Sequence, residues 1–421
     1  WARPTGTPSP SSPAGKACTA TYRIVNSWPG GRLVAVLAVT QTVGYGVLFY
    51  PFSVVLHPIA ADLGTGPAAI TGAYTLCVLV AAAAAVPVGR HLDRRPARGL
   101  MAAGAALGSA AVVALSQARA LWQVYAAFAV IGLAAAASLY EAAFTVVVHQ
   151  LGAARRSGAM LTITVVAGFA STVFIPATGW LTAQHGWRTA LLVLALGHAA
   201  ITVTGHLLAV PATPPVSAAA VTATGGPRGT RVLRDGGFWL LVVAFVAHGT
   251  ALSAVSVHLV GYLIGAGHPA TTAAAIAGML GVLSVAGRVA TTAVARRHPI
   301  TTTTAVVFAL QAAAAAALPL LGGTVAGAVA CVAVFGLGFG VGVIARPAIL
   351  VDRYGTARYG AVSGMLTVPA TVAKAAAPLA AAAVTGAGQM AAVSALCLVA
   401  AVALVYPRPP RPPAATAPGD G

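Results

Sequence analysis

The chain alternates between long apolar runs and short polar segments. Twelve runs have about the 20 residues that a helix needs to cross the apolar core of a bilayer, and we number them as spans 1 to 12. The first six lie at 33–56, 68–88, 100–116, 121–149, 159–181 and 188–210, and the second six at 237–264, 271–294, 301–318, 325–351, 361–384 and 389–406. The pattern predicts an all-α integral membrane protein.

The polar segments divide the predicted helices into two units. Residues 211–236 separate the two sets of six spans, and their Pro, Gly, Thr and Arg content is typical of a flexible linker. We therefore predict an N-terminal six-helix bundle at 33–210 and a C-terminal six-helix bundle at 237–406. Segments 1–32 and 407–421 are rich in Pro and small residues, and we expect them to be disordered cytoplasmic tails.

Composition excludes a water-soluble globule. Hydrophobic residues make up 58% of the chain and charged residues only 7%, whereas about 25% of the residues in an ordinary soluble domain are charged. The 24 basic and 6 acidic residues give a net charge of +18. A nucleic-acid-binding protein would carry such charge as a dense patch on a soluble scaffold, but here the arginines form small clusters between apolar runs.

The distribution of the basic residues predicts the orientation in the membrane. If the N-terminus is cytoplasmic, only Arg119 and Arg188 fall in outside loops. Nineteen basic residues then fall in the inside segments and tails: Arg3, Lys16, Arg23, Arg32, Arg90, Arg94, Arg95, Arg98, Arg155, Arg156, Arg228, Arg231, Arg234, Arg296, Arg297, Arg353, Arg358, Arg408 and Arg411. Because cytoplasmic loops carry the excess of Lys and Arg, both termini are predicted to be cytoplasmic.

The two sets of six spans also share residues at corresponding positions. Gly152, Arg155 and Gly158 recur as Gly355, Arg358 and Gly360; Pro176 corresponds to Pro378, and the Arg94–Arg95 pair to Arg296–Arg297. The offsets are 202 to 203 residues. A nearly constant offset over several loops and helices indicates an internal repeat, which is common in transporters with 6+6 helices.

The loop between spans 2 and 3 identifies a family. Gly89, Asp93, Arg94 and Arg98 fill the positions of a GxxxDRxxxR motif, which resembles the loop 2–3 signature of the major facilitator superfamily. This resemblance extends from about residue 33 to residue 406. It implies two six-helix bundles around a central cavity and transport by alternating access, with the loop motif acting as a conformational latch.

A finer resemblance lies in the second half. His258 with the Leu-Val-Gly-Tyr sequence after it, Gly287–Arg288 in span 8, and residues 351–360 are similar to the monocarboxylate transporter and oxalate:formate antiporter branch. In that branch an arginine of span 8 binds the substrate carboxylate, and Arg288 matches it. The resemblance implies a monocarboxylate substrate.

Four charged residues fall inside predicted spans: Glu141, Arg288, Arg346 and Lys374. A charged side chain near the bilayer centre costs about 2.5 to 3.5 kcal/mol on insertion scales, so each is a candidate functional residue. Lys374 lies thirteen residues into span 11, roughly 20 Å from the cytoplasmic side. Two cations, Lys374 and Arg288, facing one cavity with a single carboxylate would favour an anionic substrate, and Arg346 is a third candidate for binding it.

Glu141 is the candidate proton-binding carboxylate. Helical spacing places Ser138, Glu141, Thr145 and His149 on one face of span 4, and the repeat makes Glu141 nearly equivalent to Arg346. We keep two interpretations open: a carboxylate that binds a proton beside an arginine that binds an anion or closes a gate, or a permanent structural ion pair between the bundles.

Four uncharged or weakly basic residues complete the candidates. His248 and His258 in span 7 could take part in proton coupling, although an isolated histidine in a bundle commonly only hydrogen-bonds a neighbour. Gln41 and Tyr45 lie one turn apart in span 1 and could bind substrate or serve core packing.

The sequence contains no GxSxG, Walker-type or HExxH motif and predicts no enzyme, no cofactor and no metal site. We expect a monomeric, proton-coupled secondary transporter of a small organic anion in a bacterial cytoplasmic membrane. The alternatives are a proton-driven exporter of drugs or secondary metabolites and a non-transporting receptor or scaffold. Beyond substrate, protons and lipid, no partner is predicted.

Overall fold

A computed structural model describes residues 30–212, 232–382, 384 and 386–406, which form helices joined by short loops. The first half comprises the helices Gly31–Leu48, Phe52–Asp62, Pro67–Arg94, Ala97–Ser116, Leu121–Ser138, Tyr140–Gln150, Ala153–Gly168 and Ala170–His198, the π-helical turn Ala199–Val203 and the helix Thr204–Ala209. The second half comprises Gly236–Gly265, Ala270–Val294, Ile300–Leu321, Val325–Phe339, Val341–Tyr354, Tyr359–Ala382 and Ala387–Val405. The predictions for residues 1–29, 213–231 and 407–421 lie outside the described residues.

The prediction of an all-α, multi-pass membrane protein is confirmed. In the described part of the chain, ten helical segments are long and apolar enough to cross a membrane. One of them, 153–209, has 57 residues, which would extend about 85 Å as a straight helix. It is interrupted at Gly186, whose φ of +76° is outside the helical region. This break lies between predicted spans 5 and 6. The helix Tyr359–Ala382, predicted span 11, is not among the ten.

Several spans are interrupted near their middles. Span 1 is broken between Leu48 and Phe52, span 4 at Leu139 and span 10 at Gly340. At Leu139 the backbone adopts φ −91° and ψ −158° before the helix starts again at Tyr140. A break leaves backbone N–H and C=O groups without a hydrogen-bond partner inside the helix. All three breaks lie in spans that line a central cavity.

The buried apolar residues show how the two halves meet. One cluster draws on both halves and includes Leu37, Leu92, Val148, Ile349 and Tyr359, all from the ends near loop 2–3. At the opposite end the core divides into two clusters, one confined to the first half and the other to the second. Within the described part of the chain, the halves therefore share a core only at the loop 2–3 end.

At the opposite end, polar contacts tie loops together within each half. Arg188 binds Asp62 at 2.6 Å and donates to the carbonyl oxygens of Ser116 and Ala118. In the second half, the His268 imidazole lies 2.6 Å from the carbonyl oxygen of Gly322. These contacts hold each half together without bridging the space between them.

Candidate functional site

A cavity of about 1260 Å³ lies between the two halves. Its wall comes from both halves, and all four charged residues predicted inside the spans line it: Glu141, Arg288, Arg346 and Lys374. Aromatic rings from the first half, including Tyr45, Phe49 and Tyr140, form part of the apolar surface. Among the described residues, no group of three or more His, Cys, Asp or Glu side chains could hold a metal ion.

Glu141 and Arg346 form a direct ion pair across the interface of the halves. Nη2 of Arg346 donates to Oε1 of Glu141, and the hydroxyl of Ser363 donates to Oε2 at 2.7 Å. Nη1 of Arg346 also donates to the Thr367 hydroxyl at 3.3 Å. Both charged side chains are about one-fifth exposed, at 23% for Glu141 and 19% for Arg346. Their charges compensate each other at the cavity wall.

The break at Leu139 sets the position of Glu141. It places this carboxylate in the first turn of the helix Tyr140–Gln150, where the positive end of the helix dipole favours negative charge. The prediction that Ser138 shares a helical face with Glu141 is wrong, because Ser138 belongs to the preceding helix and donates to the carbonyl oxygen of Ala134. Thr145 remains aligned with Glu141 and donates to its carbonyl oxygen at 2.7 Å.

Lys374 presents its ammonium group to the cavity. Its aliphatic stem packs on Gly249, where an added Cβ would lie 2.6 Å from Cε of the lysine. Within the described part of the chain, no hydrogen-bond acceptor or carboxylate pairs with this ammonium group, whereas its backbone oxygen accepts a bond from Ser253 at 2.9 Å. The position therefore combines positive charge with access to the cavity.

Arg288 connects span 8 to span 5 of the other half. Its Nη1 donates to the carbonyl oxygen of Thr164 at 2.7 Å, while its Nε is buried without a partner in the described residues. Gly340, at the break in span 10, leaves room for this side chain, since a Cβ there would lie 2.3 Å from Nε. A hydrogen bond to one neutral carbonyl oxygen does not neutralise the positive charge of the guanidinium group.

The remaining predicted residues divide into two groups. Tyr45 and His248 line the cavity, and the Tyr45 ring lies 4.6 Å from that of Tyr140. Gln41 is completely buried away from the cavity wall and donates to the carbonyl oxygen of Ser138 at 2.9 Å, so it connects spans 1 and 4 and is not placed to bind substrate. His258 is half-buried and also lies outside the cavity lining.

Gln311 in span 9 is a polar residue that the sequence reasoning missed. It is fully buried, accepts from His248 at 2.9 Å and donates to the carbonyl oxygen of Phe335 at 2.8 Å. A glutamine in the middle of an apolar run is the signal that could have found it, because a buried amide needs hydrogen-bond partners.

The loop 2–3 motif closes one end of the molecule. The Asp93 carboxylate accepts hydrogen bonds from the backbone N–H groups of Gly360 and Ala361, each at 2.8 Å, at the start of span 11. Gly89 lies against Gly360 so closely that a Cβ at Gly89 would be 2.1 Å from the Gly360 oxygen. His149 adds a contact of 3.4 Å to Asp93.

The two arginines of the motif behave differently. Nε of Arg98 donates to the carbonyl oxygen of Val210 at 2.6 Å, which ties the start of span 3 to the end of span 6. Arg94 is exposed. Among the described residues, Asp93 and Gly89 are the members of this motif that contact the other half.

Comparisons with known proteins agree with this architecture. The sequence pattern of the Major Facilitator Superfamily matches residues 36–378. The crystal structure of the E. coli fucose:proton symporter FucP has a similar fold, with a TM-score of 0.70 at 14% identity over 88% of this chain and 97% of that one. The crystal structure of the human organic anion transporter MFSD10 gives 0.65 at 17% identity over 90% and 100%. A search of curated proteins found no significant match by sequence.

Proposed function

The chain belongs to the major facilitator superfamily, and on that premise we propose that it carries a small organic anion, a monocarboxylate, in a proton-coupled secondary transport cycle. The chain is a membrane-embedded transporter of small molecules and not an enzyme.

The observation that carries the anion proposal is the uncompensated charge of Lys374 in the central cavity. Glu141 neutralises Arg346 by direct contact, whereas Lys374 has no acceptor partner within the described residues and Arg288 donates to one carbonyl oxygen. Two cations therefore remain at the wall of one cavity. The Lys374 side chain is exposed and that of Arg288 is partly exposed, so an anion that enters the cavity is attracted to both charges, and a bound carboxylate would supply the missing negative charge.

Glu141 is the proposed proton-coupling residue. Protonation would remove its negative charge, and the attraction to Arg346 would fall with it. Since this ion pair joins the two halves, proton binding would favour their separation on this side of the cavity. Proton uptake would thus be linked to the conformational change without any contact between the proton and the substrate.

We propose twelve crossings with both termini in the cytoplasm, so that the loop 2–3 end faces the cytoplasm of a bacterial cell and the protein acts as a monomer. The break at Gly186 supports two crossings within 153–209. The arginines at the ends of spans 2, 4, 8 and 10 support a cytoplasmic location for these ends.

Uptake of labelled pyruvate into proteoliposomes under an imposed pH gradient tests the proposal. Lys374→Met and Arg288→Gln should each lower uptake by at least about tenfold, the effect of losing roughly 1.4 kcal/mol of binding. Arg119→Gln, a charge change in the loop between spans 3 and 4, is the matched control and should leave uptake unchanged. Full uptake by both cavity variants would overturn the anion proposal, and full gradient-driven uptake by Glu141→Gln would overturn its proton role.

The aromatic part of the wall favours one second candidate, proton-driven export of apolar compounds. Tyr45, Phe49, Tyr140 and Phe245 give the cavity an extended apolar surface. In that case proteoliposomes would expel a lipophilic dye when a pH gradient is applied, and Lys374→Met would leave this activity intact. Both proton-coupled symport and organic-anion transport occur in proteins with this fold.

A further inference from the structure

A second cavity, of about 1330 Å³, lies between the two halves at the loop 2–3 end. The first half contributes the start of the helix Ala153–Gly168, and the second half contributes the end of span 8, the start of span 9 and the end of span 10. Four arginines and two aspartates line this cavity, which leaves an excess of two positive charges. A cleft with such an excess attracts anions.

Two arginines occupy matching positions on walls that come from different halves. Spans 5 and 8 touch where Nη1 of Arg288 donates to the carbonyl oxygen of Thr164 at 2.7 Å. Arg156 precedes Thr164 by eight residues, and Arg296 follows Arg288 by eight. Each arginine therefore lies about 12 Å beyond this contact along its span. Both line the cavity, at a similar depth.

The charges of Arg156 and Arg296 are not neutralised within the protein. Among the described residues neither arginine forms an ion pair, and the helices that begin beside them have no acidic residue in their first turns. Nε of Arg156 donates to the carbonyl oxygen of Leu151 at 2.9 Å, and Arg296 is exposed. The Asp235 carboxylate in the same cavity already accepts from the Tyr354 hydroxyl at 2.6 Å.

Part of the cavity wall is apolar. Met160 of span 5 and Ile344, Pro347 and Ile349 of span 10 line it and are otherwise buried. The clusters of arginines at these span ends are typical of the cytoplasmic membrane surface, the level at which phospholipid phosphates lie. A ligand that matches the whole cavity therefore combines a negative group with hydrocarbon.

We propose that this cavity binds an anionic phospholipid of the cytoplasmic leaflet, with its phosphate at Arg156 and Arg296 and an acyl chain along the apolar wall. Guanidinium groups donate strong, charge-assisted hydrogen bonds to phosphate, and basic pockets between transmembrane helices on the cytoplasmic side suit anionic head groups. A soluble phosphate ester shares the head-group chemistry but leaves the apolar wall uncovered. Because the two arginines belong to different halves, the bound lipid joins the halves at this end.

Native mass spectrometry of the full-length protein in detergent tests the site directly. The parent should bind dioleoylphosphatidylglycerol at least about tenfold more tightly than dioleoylphosphatidylcholine, which has the same acyl chains but no net charge. Arg156→Gln and Arg296→Gln should each weaken phosphatidylglycerol binding about fivefold, the effect of removing one basic residue beside an anionic lipid.

The matched control is Arg297→Gln. Arg297 is exposed and adjacent to Arg296, but it does not line the cavity, so this variant should bind phosphatidylglycerol like the parent. Arg156→Lys and Arg296→Lys keep the positive charge and should retain most of the affinity. This retention separates the loss of charge from a loss of folding.

Three outcomes would contradict the site. Equal binding of the two lipids by the parent, or parent-like phosphatidylglycerol binding by both glutamine variants, would overturn the proposal. Glycerol 3-phosphate, a head group without chains, should compete only weakly; competition at the same concentration as phosphatidylglycerol would mean that the cavity takes soluble phosphate esters, and the lipid would be the wrong ligand. Lipid binding is measured without transport, so the proposed anion uptake can fail or succeed independently.

Discussion

The carboxylate of Asp93 in the first half caps the backbone N–H of Gly360 in the second half at 2.8 Å, and its other oxygen caps Ala361. These N–H groups belong to the first turn of span 11, where they have no partner within the helix. A side chain in one half thus stabilises a helix end in the other. The contact exists only while the loop 2–3 end is closed, so its strength bears directly on the conformational equilibrium.

Asp93→Asn should weaken this closed end. The amide keeps one acceptor oxygen but loses the second acceptor and the charge, and the loss at a helix N-terminus is on the order of 1 kcal/mol. Hydrogen–deuterium exchange should become about fivefold faster in the first turns of span 11, because local opening is easier. Arg90→Gln, an exposed change one turn before Asp93, is the control, and equal exchange in both variants would contradict the cap.

Gly364→Ala should prevent spans 2 and 11 from packing together. A Cβ at Gly364 would lie 2.5 Å from the carbonyl oxygen of Ala85, so the two backbones must move apart. The expected loss of stability is on the order of 1–3 kcal/mol, measured as a lower midpoint of thermal unfolding in detergent, together with reduced transport.

The matched control for this substitution is Gly261→Ala in span 7. An added Cβ at Gly261 meets no atom within 4 Å, and alanine has the higher helix propensity. This variant should be as stable as the parent or slightly more stable. Equal stability of the Gly261→Ala and Gly364→Ala variants would show that the close approach of spans 2 and 11 is unimportant.

A double-mutant cycle should reveal the coupling of Glu141 to Arg346. Each single change, Glu141→Gln or Arg346→Gln, leaves a charge at the cavity wall without its partner. The cost of such a change is about 3–5 kcal/mol for a buried pair, and the lower end applies here because about one-fifth of each side chain is exposed. The double variant should lose less stability than the sum of the two single losses, measured by unfolding in detergent. Strict additivity would mean that the contact contributes nothing.

Asp235, at the start of span 7, should make the stability of the folded protein fall as the pH becomes acidic. Burial alone would raise the pKa of Asp235, but hydrogen bonds from the Tyr354 hydroxyl at 2.6 Å and the Gly237 N–H at 2.9 Å, with the Arg353 guanidinium nearby, lower it below the ordinary value of 3.8. Because the folded pKa is the lower one, this stabilisation is complete above 3.8 and is lost as the pH falls through the folded value.

Asp235→Asn measures this contribution. Because asparagine caps a helix N-terminus about as well as aspartate, the variant loses only the negative charge, and it should be less stable than the parent near neutral pH by about 0.3–1 kcal/mol, the usual value of a charge at a helix end. The difference should shrink once the pH falls below 3.8. The stability of both proteins is measured by thermal unfolding at each pH. A stability difference that stays constant from neutral to acidic pH would contradict the lowered pKa.

Hydropathy and charge along the chain were sufficient to predict the class of protein and most helices. Predicted span 3 and its helix both end at Ser116, and predicted span 8 and its helix both end at Val294. The four intramembrane charges could also be identified from the sequence, because the cost of placing a charge in an apolar helix is a local property. The loop 2–3 motif pointed to the family by the same local spacing.

The contacts between helices were decided only by the tertiary structure. The sequence placed Glu141 and Arg346 at equivalent positions but left open whether they touch, and it placed Ser138 on a helical face that the break at Leu139 interrupts. Gln41 fitted a cavity position by spacing, yet the rotation of span 1 directs it toward span 4. Such outcomes depend on helix rotation and on breaks in the middle of spans, which hydropathy does not encode.

The orientation of His248 shows this division most clearly. By itself the sequence determined that an imidazole lies in span 7 and an amide in span 9. Packing alone decided that the Phe335 oxygen orients the amide of Gln311 and that Oε1 of this amide accepts from Nε2 of His248. A donor or acceptor acquires its direction from partners that are distant in sequence, so the chemistry of this site is a property of the folded chain.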